Sequence, residues 1–430
     1  MSDVTPQVTS GPASEPASGP ASRRARTGGP LPARAEAWRF PRALREATAI
    51  ASLSPSSHNC QPWALARLTG DDTRAAAAAE LGTGAPEGPE PGAGAPGAAE
   101  YLALGLDRTR EIGSLAAHAV EMRVSCGAYW QLLLAALEAQ GWSAGRLRFF
   151  DADDDGPRVL GTGWPRDWTL LALVELHRAE GTEDTEDTDG PLEQLRTTAA
   201  ARRTNRAPYR EDPVEPALLE RLTVPSAGAA QDAPVTVTHL WSPDDRKRFG
   251  DFVARHGGRD FSHGAAWRET HSFLRRSATE AEARGDGFTL EQLFGPLPRL
   301  RHWFLRTALS PRTMTLLRWL GYHRLLASQL AVIVRRTPVI TAMHFTTDTP
   351  GQADMVRGGA RLADYWLRAT REGLALHPVS VVIQHDDLRQ SLGERFRLRG
   401  RPFFVSRLGR PTATFPPAPR HPDARTHRSL

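Results

Sequence analysis

Two short stretches hold most of the adaptable polarity in this sequence. Residues 52–63, SLSPSSHNCQPW, set hydroxyls, an amide, an imidazole and a thiol around Pro55 and Pro62. Ser56, Ser57 and Asn59 are short donors and acceptors suited to a polar heterocycle, and the two prolines stiffen the loop, which lowers the entropy lost on binding. Residues 202–206, RRTNR, read as lying near a helix start. There Arg202, Thr204 and Arg206 can converge on a phosphate, because guanidinium forks bind it bidentately and free helix N–H groups add donors. Each stretch has a plainer reading. The first can be a turn that satisfies its own backbone, and the second an exposed basic turn paired with Glu211 and Asp212. Taken singly, each fits the plainer reading better.

The surrounding chain must position these residues. Its 430 residues suit about two domains. Lys247 is the single lysine, and the net charge of +5 is spread as arginines among acids. With no basic stripe interleaved with aromatics, the sequence does not point to nucleic acid. Cys60 and Cys126 form no disulfide framework and no metal-ligand pattern, which predicts a reducing, cytoplasmic setting and no metal. No apolar run is long enough to span a bilayer, so a soluble chain with no membrane partner is expected.

Residues 1–37 read as a disordered tail, since they cannot bury enough apolar surface to offset ordering entropy. Residues 38–52 carry helical spacing, and WALARL (63–68) reads as a strand after Pro62. Residues 70–97, mostly Ala, Gly, Pro and acids, read as a flexible insertion. YLALGL (101–106) resumes as a strand, a long helix is expected over 110–139, and strands at 146–150 and 169–176 close a first half, residues 38–180. The acidic run 181–190 reads as a linker. The second half, 191–430, begins with a helical pattern that runs through RRTNR and on to 216–222. Strand signals follow at 234–240 and 338–345, then a helix over 351–373, strand-like VSVVI (379–383) and a final strand FFVSRLG (403–409). Between them, 288–336 is rich in Arg, Leu and Trp and reads as a helical insertion, either a lid, a partner surface or a plain core subdomain. The helix–strand–helix–strand order occurs twice, which predicts an α+β fold with helices covering mostly antiparallel sheet.

Together the two polar stretches resemble signatures of one family. SLSPSSHNCQPW is similar to the PSxxNxQPW signature of the nitroreductase superfamily, and RRTNRAPY followed by PV resembles its RRSxRxF…PV signature. In the ordinary family the arginine motif comes first in one short chain. Here the order is reversed and the motifs lie in different halves, an arrangement that resembles the twin (tandem, Acg-type) nitroreductases, in which one chain mimics the family's homodimer. LGLDRTREI, VSCGAYWQLLLAAL, LADYWLRATREGLALHPVSV and VSRLGRPTATFPPAPRHP extend the resemblance over most of 38–425.

That resemblance implies a nitroreductase-like fold forming a monomeric pseudo-dimer, with flavin mononucleotide (FMN) held between the halves. Carried over, the phosphate meets Arg202, Thr204, Arg206 and Arg420, and the flavin meets Pro55, Ser56, Ser57 and Asn59. Pro378, Val379 and Ser380 match the segment lying against the flavin ring, where a backbone N–H faces N5. The counterpart site keeps Pro225 and Ser226 but lacks the Asn and the Gln-Pro-Trp, so one FMN per chain is expected. No catalytic side chain stands out, because the cofactor carries the hydride. The implied activity is transfer of reducing equivalents from a donor, NAD(P)H by the family's usual route, to a small organic acceptor, or desaturation of a biosynthetic intermediate. The rival is an FMN-sequestering protein with little turnover. Cys60, Cys126 and His58 read better as packed or self-satisfied residues than as redox or substrate groups.

Overall fold

A computed structural model describes residues 39–83, 99–179, 189–226, 232–422 and 425–430. The expected tail lies outside them, as does the linker apart from Asp189 and Gly190, which sit in the first turn of helix Asp189–Ala201.

The fold is α+β, with two sheets. The first has the order β3-β4-β2-β1-β9, from strands β1 (Trp63–Leu68), β2 (Glu100–Asp107), β3 (Trp142–Phe149), β4 (Trp168–Arg178) and β9 (His427–Ser429). The second has the order β5-β6-β8-β7, from β5 (Val235–Leu240), β6 (Val339–Phe345), β7 (Ala375–Pro378) and β8 (Pro402–Gly409). Reading β7-β8-β6-β5 against β3-β4-β2-β1 gives the same order, and each of these neighbouring pairs is antiparallel. The central strands β2, β4, β6 and β8 are buried on both faces, which is why their sequences are nearly continuous apolar runs.

A long helix joins the middle strands of each half: Ala116–Glu138 between β2 and β3, Gln352–Arg371 between β6 and β7. The two helices cross at paired glycines. A Cβ on Gly127 would stand 1.9 Å from Val356 O, and one on Gly359 would stand 2.1 Å from Val124 O. Only residues without side chains let the backbones meet there. Each glycine faces the residue three positions before the other, a self-complementary contact of the kind a two-fold axis makes. Around it pack Trp130, Tyr129, Trp366 and Tyr365, all 2 % exposed or less, and burial of each large side chain contributes about 1.5–3 kcal/mol.

Several expectations need correction. Within 70–97, Asp71–Leu81 is a helix: acids occupy its first turn, five alanines fill its body and left-handed Gly82 closes it. Residues 84–97 of that segment lie outside those described. The pattern starting at 191 stops at Ala201, and RRTNR is extended, with Thr204 bridging to Leu376. In place of a strand at VSVVI, β7 is Ala375–Pro378 and Ser380–Val382 is a tight turn. FFVSRLG is not the last strand, since β9 pairs in parallel with β1. The helices of the second half's insertion begin at Pro243, well before 288, and run to Arg336 between β5 and β6.

Candidate functional site

The first polar stretch is held in an improbable shape. His58, Asn59 and Gln61 all adopt left-handed φ angles of 51–55°, a cluster that non-glycine residues adopt only where surrounding contacts over-determine it. Those contacts reach across the molecule. Gln61 Nε2 donates to Gly285 O at 2.7 Å, and its Oε1 accepts from His421 N at 3.0 Å. Asn59 Nδ2 donates to Gly287 O (3.0 Å) and Pro419 O (2.9 Å). The carboxylate of Glu121 accepts from Ser57 Oγ at 2.5 Å and from Gln384 Nε2 at 2.7 Å.

This loop forms one wall of a cavity of about 630 Å³ lined by both halves. Ten of the eleven residues expected at the site line it: Pro55, Ser56, Ser57, Asn59, Arg202, Thr204, Arg206, Pro378, Ser380 and Arg420. Val379 does not. It is buried behind the wall with its N–H bonded to Val405 O at 2.7 Å, so within the segment Pro378–Ser380 the Val379 N–H is already committed. Asn59 is also committed, its amide hydrogens to carbonyls and its oxygen to Arg420 Nη1 at 2.5 Å. Its polar side-chain atoms are spent within the protein, and its oxygen orients Arg420 at the cavity.

The wall adjoining this loop is cationic. Arg202 donates to Leu53 O at 2.9 Å and lies 4.8 Å over the Trp366 ring, and Arg420 Nη2 donates to the same carbonyl at 3.2 Å. Arg206 has a single long bond, to Gln292 O at 3.4 Å. Among the described residues, no carboxylate pairs with Arg202, Arg203, Arg206 or Arg420. The buried Nε atoms of Arg202 and Arg420 have no hydrogen-bond partner. Burial lowers the guanidinium pKa to about 9 at Arg202, with Arg420 and Arg203 adding to it, and to about 10 at Arg206 and Arg420. All remain charged at neutral pH. Buried cations without counter-ions are costly, and an entering anion offsets that cost.

RRTNR follows the C-terminus of a helix rather than preceding an N-terminus, so helix N–H groups add no anion affinity here. The extended segment is instead fixed by Asn205, whose N–H reaches Leu376 O at 3.0 Å and whose Nδ2 reaches Ala413 O at 2.7 Å. Arg407, fully buried, supports it by donating to Ala207 O at 3.2 Å and to His377 Nδ1 at 3.0 Å.

Three further groups at the cavity, Glu121, Asp260 and Gln384, carry no sequence signature. Asp260 comes from the helical insertion. Its buried Oδ1 has no hydrogen-bond partner, and burial, with Glu121 nearby, raises its pKa to about 6. Gln384 Oε1 is likewise buried without a partner. His58 is held neutral, its pKa lowered to about 4 by burial and then by His118, and its Nε2 lies 2.8 Å from Thr270 Oγ1. Cys60 and Cys126 are buried and burial raises both thiols, consistent with a packing role. The described residues contain no cluster of three or more metal-ligating side chains, and no helix among them is long and apolar enough to cross a membrane.

No protein-family model matches the chain. It is 27% identical over 391 residues to the curated protein Probable NAD(P)H nitroreductase PigM of Serratia sp., spanning 89% of this chain and 92% of that one. Among solved structures it is similar to the FMN-dependent nitroreductase NfnB of Mycobacterium smegmatis (14% identity, TM-score 0.33, 55% of this chain and 97% of that one). It is also similar to a nitroreductase-like family protein of Bacillus cereus (13%, TM-score 0.31, 53% and 92%). The similarity to the Serratia protein runs along nine-tenths of both sequences, so over that length the chain resembles a nitroreductase-like protein.

Proposed function

We propose that this protein is an FMN-dependent oxidoreductase that takes reducing equivalents from NAD(P)H and passes them to a small organic acceptor. The two halves stand for the two subunits of a family homodimer, and each chain binds one FMN. The observation that carries this reading is the wall of buried guanidiniums without acids, facing the loop that carries the PSxxNxQPW signature.

The cavity's residues fit FMN. Arg202, Arg206 and Arg420, with Thr204, neutralise and fix the phosphate, and the unpartnered Nε atoms of Arg202 and Arg420 supply donors at no further desolvation cost. Ser56, Ser57, Pro378 and Ser380 border the ring. When bound, FMN supplies the hydride chemistry. The chain orients the acceptor and limits water. Asp260, poised near pH 6, holds a proton on its carboxyl for part of the time at neutral pH, facing whatever lies in the cavity. The repeated strand order and the glycine crossing support the pseudo-dimer.

A second reading, sequestration of FMN, is favoured by the insertion's grip on the loop: Thr270 and Gly287 bind His58 and Asn59 directly. One experiment separates the two. Purified protein is expected to carry one equivalent of FMN, and anaerobic NADPH is expected to bleach its visible flavin band, which a quinone or nitroarene then restores. Flavin that neither NADH nor NADPH reduces favours sequestration. Two equivalents per chain, or none after reconstitution, overturn the site.

A further inference from the structure

The helical insertion presents a surface that the cavity does not use. Two successive helices, Arg299–Ala308 and Pro311–Trp319, turn Ala308 and Met314 inward. Outward they display the same spacing twice. Leu300, Trp303 and Phe304 lie at i, i+3 and i+4, and so do Leu316, Trp319 and Leu320, the last falling just past its helix. This spacing puts each trio on one helical face. They are strongly exposed: Leu300 is 78 %, Trp303 64 %, Trp319 81 % and Leu320 79 % accessible. A soluble protein rarely leaves large aromatic and aliphatic groups clustered in water unless something covers them.

Charge identifies what covers them. From residue 292 to 347 the sequence contains eight arginines and no aspartate or glutamate, and Arg299, Arg301, Arg306, Arg312 and Arg318 are exposed on the same two helices. A second copy of this chain docked through a two-fold contact would set those arginines against themselves, with no acid to pair them. A nucleic acid would neutralise the arginines but leave Leu300, Leu316 and Leu320 without apolar partners. An anionic bilayer satisfies both: hydrocarbon receives the Leu, Trp and Phe tips while arginines meet lipid phosphates, as in helices that lie in a membrane interface.

We propose that the helix pair Arg299–Ala308 and Pro311–Trp319 docks the protein reversibly on anionic lipid surfaces. The surface is tied to the cavity wall, since Trp267, which lines the cavity, donates from Nε1 to Leu309 O at 3.0 Å between the two helices. The proposal does not depend on the redox reading.

The test is co-sedimentation of the full chain with vesicles of equal parts phosphatidylglycerol and phosphatidylcholine, and with pure phosphatidylcholine. The wild type is compared with W303S/F304S/W319S/L320S, which keeps every arginine, including Arg23, Arg24 and Arg26 of the N-terminal segment. Circular dichroism and flavin content control for folding. The expected result is binding to anionic vesicles, weak binding to neutral ones, and a loss of about tenfold or more in the quadruple variant with its fold retained. Absence of binding to anionic vesicles overturns the proposal. So does binding that the folded variant retains in full, which assigns attachment to arginines alone. A wild-type dimer that the variant converts to a monomer, without vesicle binding, also overturns it in favour of a second copy. Should the quadruple variant fail to fold, W303S and W319S singly decide: each must weaken binding, and unchanged binding in both sinks the idea.

Discussion

Two loops in this molecule share a plan: a helix ends, the chain passes through Pro-Ser, and the first strand of a sheet begins. In the first half, helix Arg39–Ala51 leads through Pro55-Ser56 to β1, and in the second, helix Pro216–Thr223 leads through Pro225-Ser226 to β5. Both loops neighbour buried arginines, but the charge is balanced differently. Beside the second loop, Arg361 is 1 % exposed and pairs with Asp364 at 2.9 Å while donating to Leu222 O and Thr223 O, and Asp364 also accepts the Ser226 N–H at 3.2 Å. Beside the first loop, Arg202, Arg206 and Arg420 have no acid among the described residues. One place supplies its own anion and is closed. The other withholds it and is open, the asymmetry that the proposed single FMN per chain requires.

Breaking the open side has the largest expected effect. Arg202→Ala with Arg206→Ala removes two charge-assisted contacts worth about 1.5–3 kcal/mol each, so flavin affinity falls by several orders of magnitude and purified protein carries almost none. Flavin released by denaturation measures it, and undiminished flavin content would falsify the assignment of the phosphate site. Breaking the closed side acts on stability instead. Arg361→Met leaves the buried Asp364 only the longer Arg368 contact at 3.7 Å and the Ser226 N–H, and is expected to cost up to about 3–5 kcal/mol in urea unfolding. Arg202→Met in flavin-free protein strands no acid and is expected to cost about 1 kcal/mol or less. Equal losses at the two positions would erase the distinction between the open and closed sides.

The glycine crossing sharpens the comparison by testing how alike the halves are. Gly127→Ala and Gly359→Ala each push a methyl group into the facing backbone, and each should cost about 1–3 kcal/mol. The two losses should match to within about 1 kcal/mol if the crossing has the local two-fold character its paired contacts indicate. Full tolerance of one alanine alone would show the crossing to be asymmetric.

The legible parts of this protein are those decided by local pattern. The mostly apolar runs WALARL, YLALGL and PVITAMHF became strands because strands with a neighbour on each side and both faces buried need little else. Of the ten expected residues that line the cavity, seven were readable because two short motifs carry them, and Pro378, Ser380 and Arg420 because further segments share the family resemblance. The rest depended on distant partners. The end of helix Asp189–Ala201 is set by Leu376 and Ala413, both more than 170 residues away, so helical spacing carried the reading past its true end. His427–Ser429 has too little strand character to be read alone, and it becomes β9 by pairing with β1. Asp260 and Gln384 reach the cavity from an insertion helix and a loop beyond the turn Ser380–Val382, and no spacing in the sequence joins them to Glu121.

The smallest expected effect, the response to acid, again separates the two halves. His58 in the first half and His239 in the second are both held neutral by burial, each with a pKa lowered to about 4. Between pH 6.5 and 4 the unfolded chain protonates both while the folded chain does not, so each makes stability fall as pH falls through that window. Both rings are only partly enclosed, which limits each contribution to about 1–2 kcal/mol. His58 has an opposing group at the same cavity, contributed by the second half's insertion. Asp260, raised to about 6, takes up its proton in the folded state before the unfolded chain does, so it adds stability as pH falls from 6 towards 4. His239 instead faces Tyr365 OH at 2.9 Å and the cation Arg361, and neither offsets it. His239→Gln should therefore flatten the acid limb of the stability curve, whereas Asp260→Asn should steepen it by a similar amount. Urea midpoints measured at intervals from pH 7 to pH 4 read both changes. An Asp260→Asn profile that runs parallel to the wild type would mean that the carboxyl ionises normally and that the open cavity is wetter than its walls imply.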